Sequence, residues 1–252
     1  VAAPDRTDVA GQVAALGTIL GVWAHPDDET YLSGGLMATA ADNGQRVVCV
    51  TATRGEAGSL DHERWPPATL ADIRTRELDE ALGILGVTEH HWFDYPDGGC
   101  ADVPEDRAVD RIAVLLEGVR PDTVLTFAPD GMTGHRDHIT VSRWATLAVE
   151  RLGRGGPRLH YATVTPSFWA AEEEMFFAMG VSMGGQPVVT PDEQCSILVA
   201  LTGELLGRKT AAIRAQVSQT EALTTAVSAE TFDALLRTEM YRRAEHVPGG
   251  RT

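Results

Sequence analysis

Apolar runs of five to eight residues alternate with amphipathic segments through about the first 160 residues of this chain. TILGVWA (Thr18–Ala24) reads as a buried strand and RVVCVTAT as a second. Between them Ser33 is placed to cap a helix through GLMATAADNG, which Gly44 ends. ADIRTRELDEALGILG carries Leu78, Leu82 and Leu85 on one face and stops at Gly86, as a helix does. HHWFDY is a short third strand, residues 105–118 a helix, and DTVLTFA (Asp122–Ala128) a fourth strand. A helix through HITVSRWATLAVERLG runs to Gly153. Strands separated by helices predict an α/β fold: a Rossmann-like, mostly parallel sheet with helices on both faces.

After the Gly-rich joint RLGRGGPR come strand LHYATVT, a segment around FWAAEEEMFFAMG and strand SILVAL. Helix GELLGRKTAAIRAQVSQ and a last helix near SAETFDALLRTEMYRRAEH follow. The whole chain, 1–252, reads as one domain. Its Rossmann-like core spans about residues 16–155, and a C-terminal αβ extension, about 156–252, is expected to pack on the same sheet and shape specificity.

Composition narrows the function. Hydrophobic residues make up 43% and charged residues 23% of the 252, ordinary for a globular protein. The net charge of −15 argues against a nucleic-acid partner and against an anionic membrane surface. No apolar run is long enough to span a membrane, and VAAPDRTDVAGQ lacks the basic start and apolar run of a signal peptide. Cys49, Cys100 and Cys195 are odd in number and show no CxxC spacing, which fits reduced, packed thiols in a cytoplasmic protein.

Two strand ends carry candidate chemistry. After the first strand comes AHPDDE, with His25, Asp27, Asp28 and Glu29; after the fourth comes APDGMTGHRDH, with Asp130, His135, Asp137 and His138. Ligands of an open parallel sheet bind beyond such ends. Three carboxylates in the first loop would repel a phosphate, so a cation fits better than a dinucleotide. Imidazole plus carboxylate suits zinc, with iron or cobalt as alternatives. His25, Asp28 and His138 can supply a two-histidine, one-carboxylate set, leaving Asp27 free as a base. No GxSxG, HExxH or GxxxxGK[ST] signature is present.

AHPDDE followed downstream by GHRDH resembles the LmbE-like or PIG-L-like deacetylases. The resemblance extends through TRGEAG, RTRELDEALGILG, DYPDGG and PDTVLTFAPDGMTGHRDH, over roughly residues 18–150. It is echoed at KTAAIRAQVSQ, where many members carry histidine at the position of Gln216. It implies a zinc-dependent hydrolase of linear amide bonds, acting on a small N-acetylated sugar conjugate. His25, Asp28 and His138 would hold the metal and Asp27 would be the general base. His135 would stabilise the oxyanion as a protonated imidazole, with Asp137 supporting its charge. Arg64 and Asp97 match positions that contact the sugar. Thr133 stands where mycothiol-pathway relatives carry tyrosine, a departure that bears on specificity for their substrate.

Other readings stay open: another metal-dependent hydrolase, of an amide, ester or phosphoester in a non-sugar metabolite, and a metal-binding module without chemistry. A homo-oligomer is an open alternative to a monomer. His62, His90, His91, His160 and His246 read as structural or solvated, Trp92, Phe93 and Trp144 as core, and Glu172–Glu174 as a solvated face. Glu29 reads as a helix-start acid and Glu56 as a brace for the ligand shell.

Overall fold

In the computed structural model, which describes residues 3–59, 61–178, 183 and 186–245, seven strands make one sheet. The chain runs α1 (Val9–Ala14), β1 (Ile19–Trp23), α2 (Asp28–Asp42), β2 (Val47–Thr53), α3 (Pro67–Leu85), β3 (Glu89–Tyr95), α4 (Glu105–Val119), β4 (Thr123–Phe127) and α5 (Arg136–Arg151). It continues with β5 (Arg158–Ala162), α6 (Pro166–Ala178), β6 (Cys195–Ala200), α7 (Gly203–Arg214), α8 (Val217–Ala226), α9 (Ala229–Leu236) and β7 (Thr238–Arg243). The strand order is β3-β2-β1-β4-β5-β7-β6. The first five strands in that order pair in parallel; β7 runs antiparallel to both β5 and β6. Strands β1, β2 and β4 are buried at every position, which is why they are continuous apolar runs rather than alternating ones.

The order reverses direction at the β1–β4 pair. Right-handed crossovers then send α2 and α3 to one face and α5 to the other, opening a crevice between the two strand ends. AHPDDE follows β1 and GHRDH follows β4, so the topology brings the two motifs side by side.

Several elements differ from the sequence reading. Helix α2 begins at Asp28, so Ser33 is no cap; it is buried mid-helix, its Oγ 2.7 Å from Tyr241 Oη. Helix α5 begins at Arg136, which puts Asp137 and His138 in its first turn. The stretch after Thr202 is two helices, α7 and α8, broken at Ala215–Gln216. The expected last helix ends at Leu236 and gives way to β7. Phe232, Leu235, Leu236 and Met240 keep a helical spacing, but backbone pairing to β5 and β6 on both sides overrides it. Helix α1, with Asp8 accepting from Gly11 N, carried no strong pattern. Trp92 is half-buried under the Arg54 guanidinium rather than core, while Phe93 and Trp144 are core. Met179, Gly180 and His246 lie outside the described residues.

The C-terminal strands are bolted onto α2. Glu239 of β7 accepts from Gly35 N and Leu36 N at 2.7 and 2.8 Å and pairs with Lys209 Nζ at 2.7 Å, all buried. Tyr241 Oη donates to Leu32 O at 3.1 Å. Gly34 and Gly35 make this approach possible: a Cβ on Gly35 would stand 2.4 Å from Leu201, and one on Gly34 3.0 Å from Lys209. No helix among the described residues is long and apolar enough to cross a membrane.

Candidate metal centre

The site is assembled from the first turns of α2 and α5. Asp27 precedes α2 with φ 126°, a conformation that a non-glycine residue adopts only under strain, of order 1–3 kcal/mol. Neighbouring groups hold it there. Arg74 of α3, buried, pairs with Asp27 Oδ2 at 3.2 Å and donates to Gly55 O and Pro26 O.

Two imidazole nitrogens and the two oxygens of one carboxylate converge beside it. His25 Nδ1 and His138 Nε2 are 3.1 Å apart, and Asp28 oxygens lie 3.6 Å from the first and 3.4 Å from the second. A tetrahedral ion with ~2.0–2.1 Å bonds to nitrogen and oxygen needs ligand atoms about 3.3 Å apart. The pairwise spacings, with Asp28 Oδ2 toward His25 and Oδ1 toward His138, are close to that requirement. Each imidazole turns its second nitrogen to an acceptor, as metal-binding histidines do. His25 Nε2 faces Asp97 Oδ1 at 3.1 Å and Asp137 Oδ2 at 3.3 Å. His138 Nδ1 faces Gly131 O at 3.1 Å and Thr133 Oγ1 at 3.3 Å, and its ring stacks on Phe127. One ligand atom from each of His25, His135 and His138 also falls within 4.8 Å of the others.

The electrostatics favour a cation. Burial opposes charge on His25, but hydrogen bonds to Asp137, Asp28 and Asp97 outweigh it and raise the imidazole well above its ordinary value. Burial also opposes charge on Asp28, yet His138 and His25 hold that carboxyl down to about 2. Burial pushes Asp27 up to about 7, against the Arg74 guanidinium, into the range where a carboxyl can exchange a proton near neutrality. Burial pushes His138 down to about 4, so its neutral, ligating form prevails.

Asp137 is turned differently from the expectation. Fully buried, it accepts from Gly98 N at 2.8 Å and Cys100 N at 3.1 Å and faces His25, not His135. Burial, then the charge of His25, lowers His135, and its Nδ1 accepts from Asp137 N at 3.1 Å. With Nδ1 accepting, Nε2 is the ring nitrogen left to donate. Asp97 accepts from Ala57 N and is braced by Glu56, which takes its backbone N–H at 2.9 Å. Asp130 lies apart, accepting from Met132 N and Val188 N. Glu29 is fully buried in the first turn of α2, and burial raises its carboxyl well above the ordinary value. Gln216 reaches back to Thr30 Oγ1 of α2 at 3.0 Å.

Arg64 is not gathered into the cluster. Half exposed, it pairs with Glu221 and stacks over Trp65, lining a polar groove of about 520 Å³ with Asp61, Ser218 and Gln219. Arg74, which the sequence reading passed over, is the arginine at the site. Its signal was position: with Leu70 and Leu78 it makes an i, i+4 stripe that is otherwise apolar. Tyr31 was also missed; it follows Asp27 by one helical turn, and its hydroxyl is raised by burial and then by the Asp27 carboxylate.

A doubly wound sheet with a buried histidine–aspartate cluster at its switch point defines a class of α/β protein, and the comparisons give its family. Residues 20–149 match the family model described as PIG-L: GlcNAc-PI de-N-acetylase, and the chain belongs to this family of deacetylases. Among its relatives is the 1D-myo-inositol 2-acetamido-2-deoxy-alpha-D-glucopyranoside deacetylase of Mycobacterium sp. (strain JLS), 33% identical over 80% of this chain and 73% of that one. In fold it is similar to N,N'-diacetylchitobiose deacetylase from Pyrococcus horikoshii, with TM-score 0.62 at 22% identity, over 94% of this chain and 87% of that one. GalB, the 4-carboxy-2-hydroxymuconate hydratase of Pseudomonas putida KT2440, shares the fold too, with TM-score 0.59 at 18% identity over 94% and 100%. Function must therefore be argued from the site rather than from the sheet.

Proposed function

We propose that this protein is a zinc-dependent N-deacylase that hydrolyses the amide of an N-acetyl or other N-acyl group on a small amino-sugar conjugate. The observation that carries the reading is the triangle of His25, Asp28 and His138, with Asp27 beside it and outside the set. The deacetylase activities of the relatives support the same class of substrate.

Zinc held by His25, Asp28 and His138, with iron or cobalt as alternatives, would supply Lewis acidity: it polarises the acyl oxygen and makes water easier to deprotonate near pH 7. Asp27, fixed by Arg74, takes the water proton as the oxygen adds to the carbonyl carbon. The His135 Nε2–H donates to the developing oxyanion, a contribution of roughly 3 kcal/mol for one such donor. Asp137 and Asp97 keep His25 in register and in its ligating orientation. Asp27 then returns its proton to the departing nitrogen as the C–N bond breaks. The polar groove beside Gly58, with Arg64 and Trp65, receives the sugar side of the substrate, and Asp97 contacts it nearer the metal. A net charge of −15 fits a small-molecule partner in the cytoplasm rather than nucleic acid.

The test is acetate release from a panel of N-acetylglucosamine conjugates, before and after chelation and after adding zinc back. Release that chelation abolishes and zinc restores is the expected result. Undiminished release from fully chelated protein would remove the metal from the reaction.

A further inference from the structure

We propose that the acyl side of this site is built for a chain longer than acetyl, of about four or five carbons. The inference rests on the N-deacylase reading and goes beyond it by naming the acyl group.

A cavity of about 100 Å³, lined by Tyr31, Leu32, Met132, Val164, Phe168 and Met240 among others, shares two of its walls with segments that also carry cluster residues. Its position follows from the topology. Tyr31 N donates to Asp27 O at 2.9 Å, so this wall is the turn that carries the proposed base. Met132 lies between Gly131 and Thr133, both of which hold His138 Nδ1, so a second wall is the loop that orients a proposed ligand. Val164 follows the carboxyl end of β5, next to β4 in the sheet. Met132 has φ 64°, a left-handed conformation that costs a non-glycine residue about 1–2 kcal/mol. Strain of this kind collects where a side chain must be aimed at a site.

The chemistry of the lining selects the occupant. Four polar residues stand on the wall, and two of them are already engaged: Glu239 by Gly35 N, Leu36 N and Lys209, and Thr163 Oγ1 by Val188 O and Thr190 Oγ1; Tyr31 and Thr238 add a hydroxyl each to a lining that is otherwise apolar. A cavity so lined holds water poorly and holds methylene groups well. A sugar ring, with hydroxyls to satisfy, belongs instead in the polar groove on the other side of the β1–β4 crevice. That groove is formed by the loop after β2 and by α8. The two flanks thus divide the substrate at its amide: sugar toward Trp65, hydrocarbon toward Phe168. At roughly 30 Å³ per water-sized group, the cavity adds room for about three carbons beyond an acetyl. The reaction is otherwise unchanged. Water oxygen bonds to the acyl carbon, the C–N bond breaks, the nitrogen takes the proton, and a short-chain carboxylic acid leaves in place of acetic acid.

Two measurements on the zinc-loaded full chain test this. Calorimetry compares binding of acetate, butyrate and octanoate, and kinetics compares hydrolysis of N-acetyl-, N-butyryl- and N-octanoyl-glucosamine. Each buried methylene is worth about a four-fold gain, so butyryl, with two more, should exceed acetyl about fifteen-fold in both affinity and kcat/KM, with octanoyl falling back as the cavity overfills. Leu235→Trp, which fills the cavity, should lower the butyryl-to-acetyl ratio, a readout that corrects for any change in folded fraction. Acetyl equal to or better than butyryl in both measurements overturns the inference and leaves the deacylase reading standing. Tighter butyrate binding with no hydrolysis of any amide supports the cavity and overturns the reading instead.

Discussion

At the scale of single residues, the site separates carboxylates that are close in sequence. Asp27 and Asp28 are adjacent, yet burial and Arg74 leave the first near neutrality at about 7 while His138 and His25 hold the second near 2. Environment, not residue type, divides base from ligand. Asp27→Asn is expected to keep its metal, read by elemental analysis, and to lose turnover by about 10²–10⁴-fold. Asp28→Ala is expected to lose both. Wild-type turnover in Asp27→Asn would show that the proton goes elsewhere.

At the scale of elements, α2 is the piece on which the site depends, and it is held from behind. Glu239 and Lys209 form a buried ion pair whose carboxylate also takes two α2 amides. Removing one partner strands a charge in the interior, which costs about 3–5 kcal/mol. Lys209→Met should therefore lower unfolding free energy by about that amount in a denaturant titration, and Glu239→Gln added to it should recover part of the loss. An unchanged midpoint for Lys209→Met would show that the pair contributes nothing net.

At the scale of the whole molecule, stability should fall on the acid side for a reason outside the site. Burial pushes His160 and His90 down to about 4 in the fold, from 6.5 in an unfolded chain. Between those values the unfolded chain takes up protons that the folded one refuses. Stability is thus complete above pH 6.5 and declines as the pH falls toward 4, by up to about 3 kcal/mol for each ring. His160 is 4% exposed and bonds Ser196 Oγ through Nδ1, remote from the metal cluster. Thermal unfolding of His160→Gln between pH 4 and 7 should show a shallower slope than the parent; an identical slope would remove this ring from the account.

The sequence by itself determined the buried strands β1, β2 and β4, because a strand covered on both faces must be apolar throughout. It determined helix α3, because Leu78, Leu82 and Leu85 repeat at the helical period and Gly86 can turn left-handed at its end. It also placed two acid–histidine motifs at strand ends, where a parallel sheet opens its crevice. Tertiary structure alone decided which groups face one another. Asp137 turns to His25 because Gly98 and Cys100 amides hold it there, and Arg74 rather than Arg64 reaches Asp27 because its helix position points inward. β7 is a strand because neighbours on both sides supply backbone partners that its own residues do not announce. Periodicity and residue chemistry are local and can be read along the chain. Pairing across a crevice or a sheet edge depends on atoms brought together from distant positions, and no local pattern encodes it.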